Sequence, residues 1–211
     1  MKIRIWKTGA ALLGICGMLI VNGCGASEQN AAQNGSENTE ETGGTQTENE
    51  AASGQFTSLG AFSLEDLAGK QYTQEMFGEY ELTMVNVFTT WCTPCVNEIP
   101  DLEKLHTQMA DSGVNVVGIV LDAIDEKGNK SEETVEKAKL LAERTGATYP
   151  FLIPDAGGLN GRLYGIDAVP ETFFVDKNGS IVGDTYSGSR SFDAWMEIVT
   201  EELAGIKGGQ Q

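Results

Sequence analysis

Leu82-Thr83-Met84-Val85-Asn86-Val87-Phe88 is an almost unbroken apolar run, and it leads through Thr89-Thr90 into Trp91-Cys92-Thr93-Pro94-Cys95. Apolar residues then recur at three- and four-residue steps, at Val96, Ile99, Leu102, Leu105 and Met109. A continuous apolar run is the pattern of a strand covered on both faces, and the stepped pattern is that of an amphipathic helix. A buried strand that feeds W-C-x-x-C directly into a helix sets the first sulfur at the helix N-terminus. Unpaired backbone N–H groups and the helix dipole there favour a thiolate over a thiol. Two cysteines three apart on a first helical turn can close a small disulfide that a thiolate can reopen, so the pair can cycle between dithiol and disulfide.

Two plainer roles compete for the cysteines. Half of a zinc site would need further ligands, and His106 is the only histidine in the chain. A structural staple should close a long loop, and this pair closes almost none. Redox exchange is the chemistry that the spacing favours.

The remaining strands and helices follow in order. Phe56 to Leu67 reads as a short strand or loop, and the cysteine helix spans roughly Pro94 to Asp111 with Pro100 inside it. Val114 to Leu121 is a second buried strand. Ser131 is suited to cap a helix that Glu132 and Glu133 open and Gly146 ends. Tyr149 to Ile153 is a short strand and Gly158 to Tyr164 a short helix. Val169 to Asp176 and Ser180 to Tyr186 form a hairpin across Lys177-Asn178-Gly179, and Ser191 to Ala204 is a closing helix with Trp195 on its packing side. Alternating strands and helices imply an α/β fold with parallel strands and right-handed crossovers.

The N-terminal third has a different character. Lys2, Arg4 and Lys7 precede an apolar stretch from Gly9 to Val21, too short for a spanning helix of roughly 20 residues but suited to an export signal. Val21-Asn22-Gly23-Cys24 resembles the lipobox of bacterial lipoproteins, which implies cleavage before Cys24 and a lipid on its sulfur; an ordinary secretory signal cut nearby is the alternative. Residues 1–23 are thus expected to be a lipoprotein signal peptide. Cys16 would leave with it and Cys24 would be acylated, so Cys92 and Cys95 would be the only thiols of the mature protein.

Residues 24–54 are expected to form a lipid-anchored acidic linker. From Ser27 to Gly54 there is no aromatic and no large aliphatic residue, so burial could not offset the entropy of ordering. Such a tether would have an end-to-end distance of about 30 Å. The formal net charge of −17 leaves no basic stripe for nucleic acid. It also opposes the helix dipole in the ionisation of the thiols.

W-C-T-P-C after an apolar strand, Pro100 five residues beyond Cys95, and V-P-E-T-F-F-V-D-K-N-G from Val169 to Gly179 resemble the thioredoxin fold. More narrowly, they are similar to the membrane-tethered TlpA/ResA/CcmG-like thiol-disulfide oxidoreductases of bacteria. The resemblance implies a thioredoxin-like domain over residues 55–207, a central mixed β-sheet flanked by helices. By the same resemblance, Cys92 is the exposed nucleophile and Cys95 the buried resolving thiol. Pro170 matches the family's cis-proline, and the backbone of Val169 is expected to pair with the bound polypeptide. Trp91 stands as a wall beside the sulfurs. Without the resemblance, Pro170 would read as a trans proline starting an edge strand. Glu98 aligns with a family glutamate; its i+3 position from Cys95 independently lets it exchange a proton with that thiol, or else it is a solvated helix-face residue. Asn86 stands where cytosolic thioredoxins carry a buried acid, in agreement with this subfamily.

The expected activity is reduction of disulfides in exported partner proteins, with no metal or organic cofactor and with electrons returned by a membrane thiol carrier. A disulfide-forming oxidase on the same site and a metal-binding or metal-delivery module on the same fold are the alternatives. A peroxidase is disfavoured by the W-C-x-x-C context.

Overall fold

The computed structural model describes residues 57–208. The expected signal, lipobox cysteine and linker lie outside these residues.

Seven strands form one mixed sheet in the order β2-β1-β5-β4-β3-β6-β7. The apolar runs Leu82–Phe88 (β3) and Val114–Val120 (β4) are its buried centre and pair in parallel. Phe151–Ile153 (β5) continues the parallel set beside β4. Glu171–Asp176 (β6) runs antiparallel to β3 and pairs in turn with Ile181–Ser187 (β7) at one edge. Ser63–Asp66 (β1) and Gln71–Thr73 (β2) form an antiparallel hairpin at the other edge.

The central strands lack polar alternation because both faces of the sheet are covered. Leu82, Met84 and Phe88 of β3, with Val114, Val116 and Val120 of β4, join one cluster with residues from all three α-helices. Those helices are Thr93–Met109 (α1), Glu132–Thr145 (α2) and Phe192–Gly208 (α3). The intervening Val85, Val87, Val117 and Ile119 pack on the other face against Leu59, Leu64, Phe77, Leu159 and Leu163. Gly118 is required where β4 crosses the aromatic pair, since a Cβ there would lie 2.9 Å from the Phe151 ring and 3.1 Å from that of Phe88.

The helix boundaries follow their caps. Ser131 accepts the Thr134 N–H, and Gly146 ends α2 in the left-handed conformation at φ +73°. The short strand expected within Phe56 to Leu67 is β1, and one expectation, the helix at Gly158 to Tyr164, is corrected. The Phe56 to Leu67 stretch contributes β1 to a hairpin, followed by a 3-10 helix at Gln74–Glu79 that puts Phe77 into the core. Gly158 to Tyr164 is not a helix. Gly158, Leu159, Asn160 and Gly161 all have positive φ, between 51° and 81°, which a right-handed helix cannot contain. The glycines absorb half of that cost, and burial of Leu159 to 3% exposure offsets its own.

Candidate active site

Parallel β3 and β4 deliver their following loops to the same end of the sheet. There Asp122, just after β4, accepts the backbone N–H of Thr90 at 3.0 Å and its hydroxyl at 2.7 Å, fixing the segment that leads into the cysteines. Cys92 is the N-cap of α1, and Pro94 occupies the first turn, where its missing N–H costs nothing.

The two sulfurs are joined as a disulfide. The Cys92 sulfur accepts the Cys95 N–H at 3.3 Å, the interaction that would hold a thiolate there after reduction. Cys92 is 6% exposed and Cys95 1%, so the first sulfur is the accessible one, although only narrowly. It lies 3.5 Å from the Val169 carbonyl oxygen. Trp91 is 72% exposed and forms the open rim.

The Val169–Pro170 peptide bond is cis. The turn that it makes sets the Val169 backbone against Cys92 and sends β6 back along β3. Pro170 is buried, and its carbonyl oxygen accepts the Gly188 N–H at 2.8 Å.

Glu98 is 3% exposed, one turn beyond Cys95 on α1. Its carboxylate accepts the Trp195 indole N–H and the Arg190 backbone N–H, each at 2.7 Å, and a longer bond of 3.4 Å from the Asn86 amide. Asn86 also donates to Thr172 at 3.0 Å, tying β3 to β6 beneath the cis bond. Burial pushes the Glu98 carboxyl above its ordinary value. The Arg190 N–H, the Trp195 indole, the Asn86 amide and the Arg190 charge pull the other way without cancelling it. The group therefore keeps its proton to higher pH than a solvated glutamate does. Tyr149, wholly buried, has its phenol pushed well up by burial.

A second glutamate borders the cis bond on the opposite side. Glu171 accepts Arg162 Nη1 at 2.8 Å, with the two side chains only 17% and 10% exposed. The Arg162 guanidinium also lies 4.2 Å from the centre of the Phe173 ring and reaches the Thr185 hydroxyl at 3.5 Å.

Cys92, Cys95, Glu98, Trp91, Val169 and Pro170 thus come together at one end of the sheet. Cys24 lies outside the described residues. Among the described residues no group of three or more His, Cys, Asp or Glu side chains is arranged to hold a metal ion. A cleft of about 600 Å³ between the segments following β4 and β5 is lined by Leu121, Ile124, Pro154, Leu163 and Tyr164 and by none of these site residues. Sequence reasoning missed Trp195 and Arg190 as partners of Glu98, because it assigned Trp195 to packing alone. The signal available was chemical: an indole N–H that is buried needs an acceptor, and a buried carboxylate needs donors.

Comparison with known proteins agrees with this geometry. A profile described as the AhpC/TSA family matches residues 57–183. "Thiol-disulfide oxidoreductase ResA" of Halalkalibacterium halodurans is 30% identical over 145 residues, spanning 67% of this chain and 74% of that protein. "Thiol:disulfide interchange protein DsbE" of Haemophilus influenzae is 33% identical over 130 residues, 62% of this chain and 64% of the relative. Among solved structures, a thiol:disulfide interchange protein of Chlorobium tepidum superposes with a TM-score of 0.56 at 28% identity, covering 72% of this chain and 99% of that one. The exposed lipoprotein thioredoxin Etrx1 of Streptococcus pneumoniae gives 0.51 at 26% identity, covering 67% and 98%. A vicinal disulfide at a helix N-cap under a cis-proline, on a fold and sequence shared with these proteins, establishes that the chain belongs to the AhpC/TSA family and is a thioredoxin-fold thiol-disulfide oxidoreductase of the ResA and DsbE type, with Cys92 and Cys95 as its C-x-x-C pair.

Proposed function

We propose that the protein reduces disulfides in exported partner proteins outside the cytoplasm, tethered to the cell membrane through a lipid on Cys24. The observation that carries the direction is Glu98, buried one turn from Cys95 and in no ion pair among the described residues. A carboxylate there disfavours a second negative charge on Cys95, and the acidic chain adds to that effect. A strong oxidant instead gains its power from a stabilised thiolate in its reduced form.

The cycle begins with the Cys92 thiolate, held at the α1 N-terminus. It attacks one sulfur of the partner disulfide, forming a mixed disulfide and releasing the other partner sulfur as a thiolate that takes up a proton. The partner polypeptide lies along the Val169 backbone beside Pro170, with Trp91 as the apolar wall of the entry. Glu98 accepts the Cys95 proton, the Cys95 thiolate attacks the Cys92 sulfur, and the second partner sulfur leaves. Two electrons have passed to the partner, and Cys92–Cys95 is again the disulfide seen in the structure. A membrane thiol carrier would return the electrons. The chemistry needs no bound cofactor.

The test is equilibration of the full-length protein with defined thiol buffers. A potential near or below about −250 mV is expected, whereas one near about −120 mV would make the protein a disulfide donor.

A further inference from the structure

One loop touches both halves of the site. Within Ser187 to Arg190, the Gly188 N–H donates to the Pro170 carbonyl at 2.8 Å, and two residues later the Arg190 N–H donates to the Glu98 carboxylate at 2.7 Å. Gly188, at φ +82°, turns the chain between the two donations. The Arg190 side chain keeps this turn closed. Its Nη1 donates back to the Gly188 carbonyl at 2.8 Å and to that of Ser187 at 3.3 Å, while the guanidinium lies 5.0 Å from the Trp195 ring and 5.1 Å from that of Tyr186. It joins no ion pair among the described residues; its Nη1 serves the loop it belongs to, while its flat face rests on Tyr186 and Trp195. Trp195, which it covers, is itself a donor to Glu98.

Resting on the proposed role of Glu98 as proton acceptor for Cys95, we propose that Arg190 is a positioning residue that, through the Ser187–Arg190 loop, links occupation of the Val169–Pro170 edge by a polypeptide to the set of donors on Glu98. A polypeptide that pairs with Val169 acts on the Pro170 carbonyl, hence on Gly188 and on the Arg190 N–H two residues away. The linkage is reciprocal: the ionised carboxylate tightens the loop and so the docking edge. Proton transfer from Cys95 is then tied to the presence of a bound chain.

The charged and titratable groups facing Glu98 are Arg190 from the loop, Tyr149 ahead of β5 and, once reduced, Cys95 on its own helix; β3 offers only the Asn86 amide and α3 only the Trp195 indole. Arg190 is the one cation in this set. Loss of its hold withdraws a donor and a positive charge from the carboxylate, so the pH at which the carboxylate ionises should rise.

The test is thiol-disulfide exchange by the reduced full-length protein with insulin as the polypeptide disulfide, followed across pH. Arg190→Ala should move the acid limb of the rate upward by about one pH unit and raise KM for insulin, while Arg190→Lys restores the limb part-way. In a Glu98→Gln background the same replacement should move no limb. The part of the tryptophan fluorescence titration that Glu98→Gln abolishes should shift with Arg190→Ala even without insulin. A folded Arg190→Ala protein that keeps the wild-type limb and fluorescence titration, or that shifts equally in the Glu98→Gln background, overturns the proposal. Should the alanine variant not fold, Arg190→Gln serves, since it retains one amide donor for the loop carbonyls; an unshifted limb there overturns the proposal as well. If the fluorescence titration shifts and the rate limb does not, Glu98 is positioned by Arg190 but is not the proton acceptor, and it is the proposed cycle that fails. A measured potential that makes the protein an oxidant leaves this test intact, because the exchange is read at the dithiol.

Discussion

The two sides of the Val169–Pro170 bond hold a buried glutamate in opposite ways. On the helix side, Glu98 receives an indole N–H, a backbone N–H and an amide, with no cation bonded to its oxygens. On the turn side, Glu171 is held by the Arg162 guanidinium, which is itself pinned on Phe173. Neutral donors solvate a carboxylate without fixing its charge, and burial then makes its proton negotiable. A guanidinium bonded at 2.8 Å instead makes the carboxylate a strut between the turn at residues 158–165 and β6. The chain thus separates chemistry from scaffolding within a few residues of one peptide bond.

Breaking the strut should have the largest effect. Arg162→Met leaves Glu171 largely buried without its partner, and it should lower unfolding stability by about 3 kcal/mol in urea titrations. The acid limb of thiol exchange should stay where it is in the wild type. A limb that moved with Arg162 would mean that the two sides are not separate.

Glu98→Gln should do the reverse. The amide oxygen still accepts from Trp195 and Arg190, and Asn86 meets the new NH₂ by rotating its own amide, so stability should change by less than about 1 kcal/mol. Exchange should slow by about 100-fold with loss of the acid limb, the scale of a lost proton acceptor. Stopped-flow exchange and a urea titration on the same preparation check both halves.

This contrast was only half legible in the sequence. Cys92, Cys95 and the strand-to-helix junction could be read because local pattern dictates them: an uninterrupted apolar run, a cap position and a stepped helix face. Glu98 was visible through its i+3 spacing, but its burial was not, because the residues that bury it come from α3 and the 187–190 loop, some ninety positions away. Arg162 and Glu171 gave no local signal at all. The turn carrying Arg162 was misread as a helix, since Leu159 takes a left-handed φ with its side chain buried in the packed sheet face, a contact that the local sequence does not announce. Spacing along the chain encodes which residues share a face; it does not encode which distant donor completes a buried charge.

A smaller change sharpens the helix side alone. Trp195→Phe keeps the ring but removes the indole N–H, leaving Glu98 with its two remaining donors. It should cost about 1 kcal/mol of stability and move the acid limb upward by less than Arg190→Ala does. If it left the limb unchanged, the indole would be packing only, and the donors that matter would be the backbone N–H and Asn86.

The smallest effect is in the pH dependence of folding. Burial raises the Glu98 carboxyl in the native state above its unfolded value near 4.5. Between those two values the native state still holds a proton that the unfolded chain has released, so stability must fall as pH rises through that window and level off above the native value. Exposed carboxylates held by donors, such as Asp125 with Asn129 and Glu133 with Lys137, are shifted down and slope the other way, which masks Glu98 in the wild type alone. The difference between wild type and Glu98→Gln in urea titrations from pH 4 to 8 removes that common background. It should show the wild type losing stability relative to the glutamine variant as pH rises, and only modestly, because desolvation and the three donors oppose one another. The opposite slope would mean that its donors outweigh burial and hold the Glu98 carboxylate as an anion, and the two sides of the cis bond would then differ in partner but not in kind.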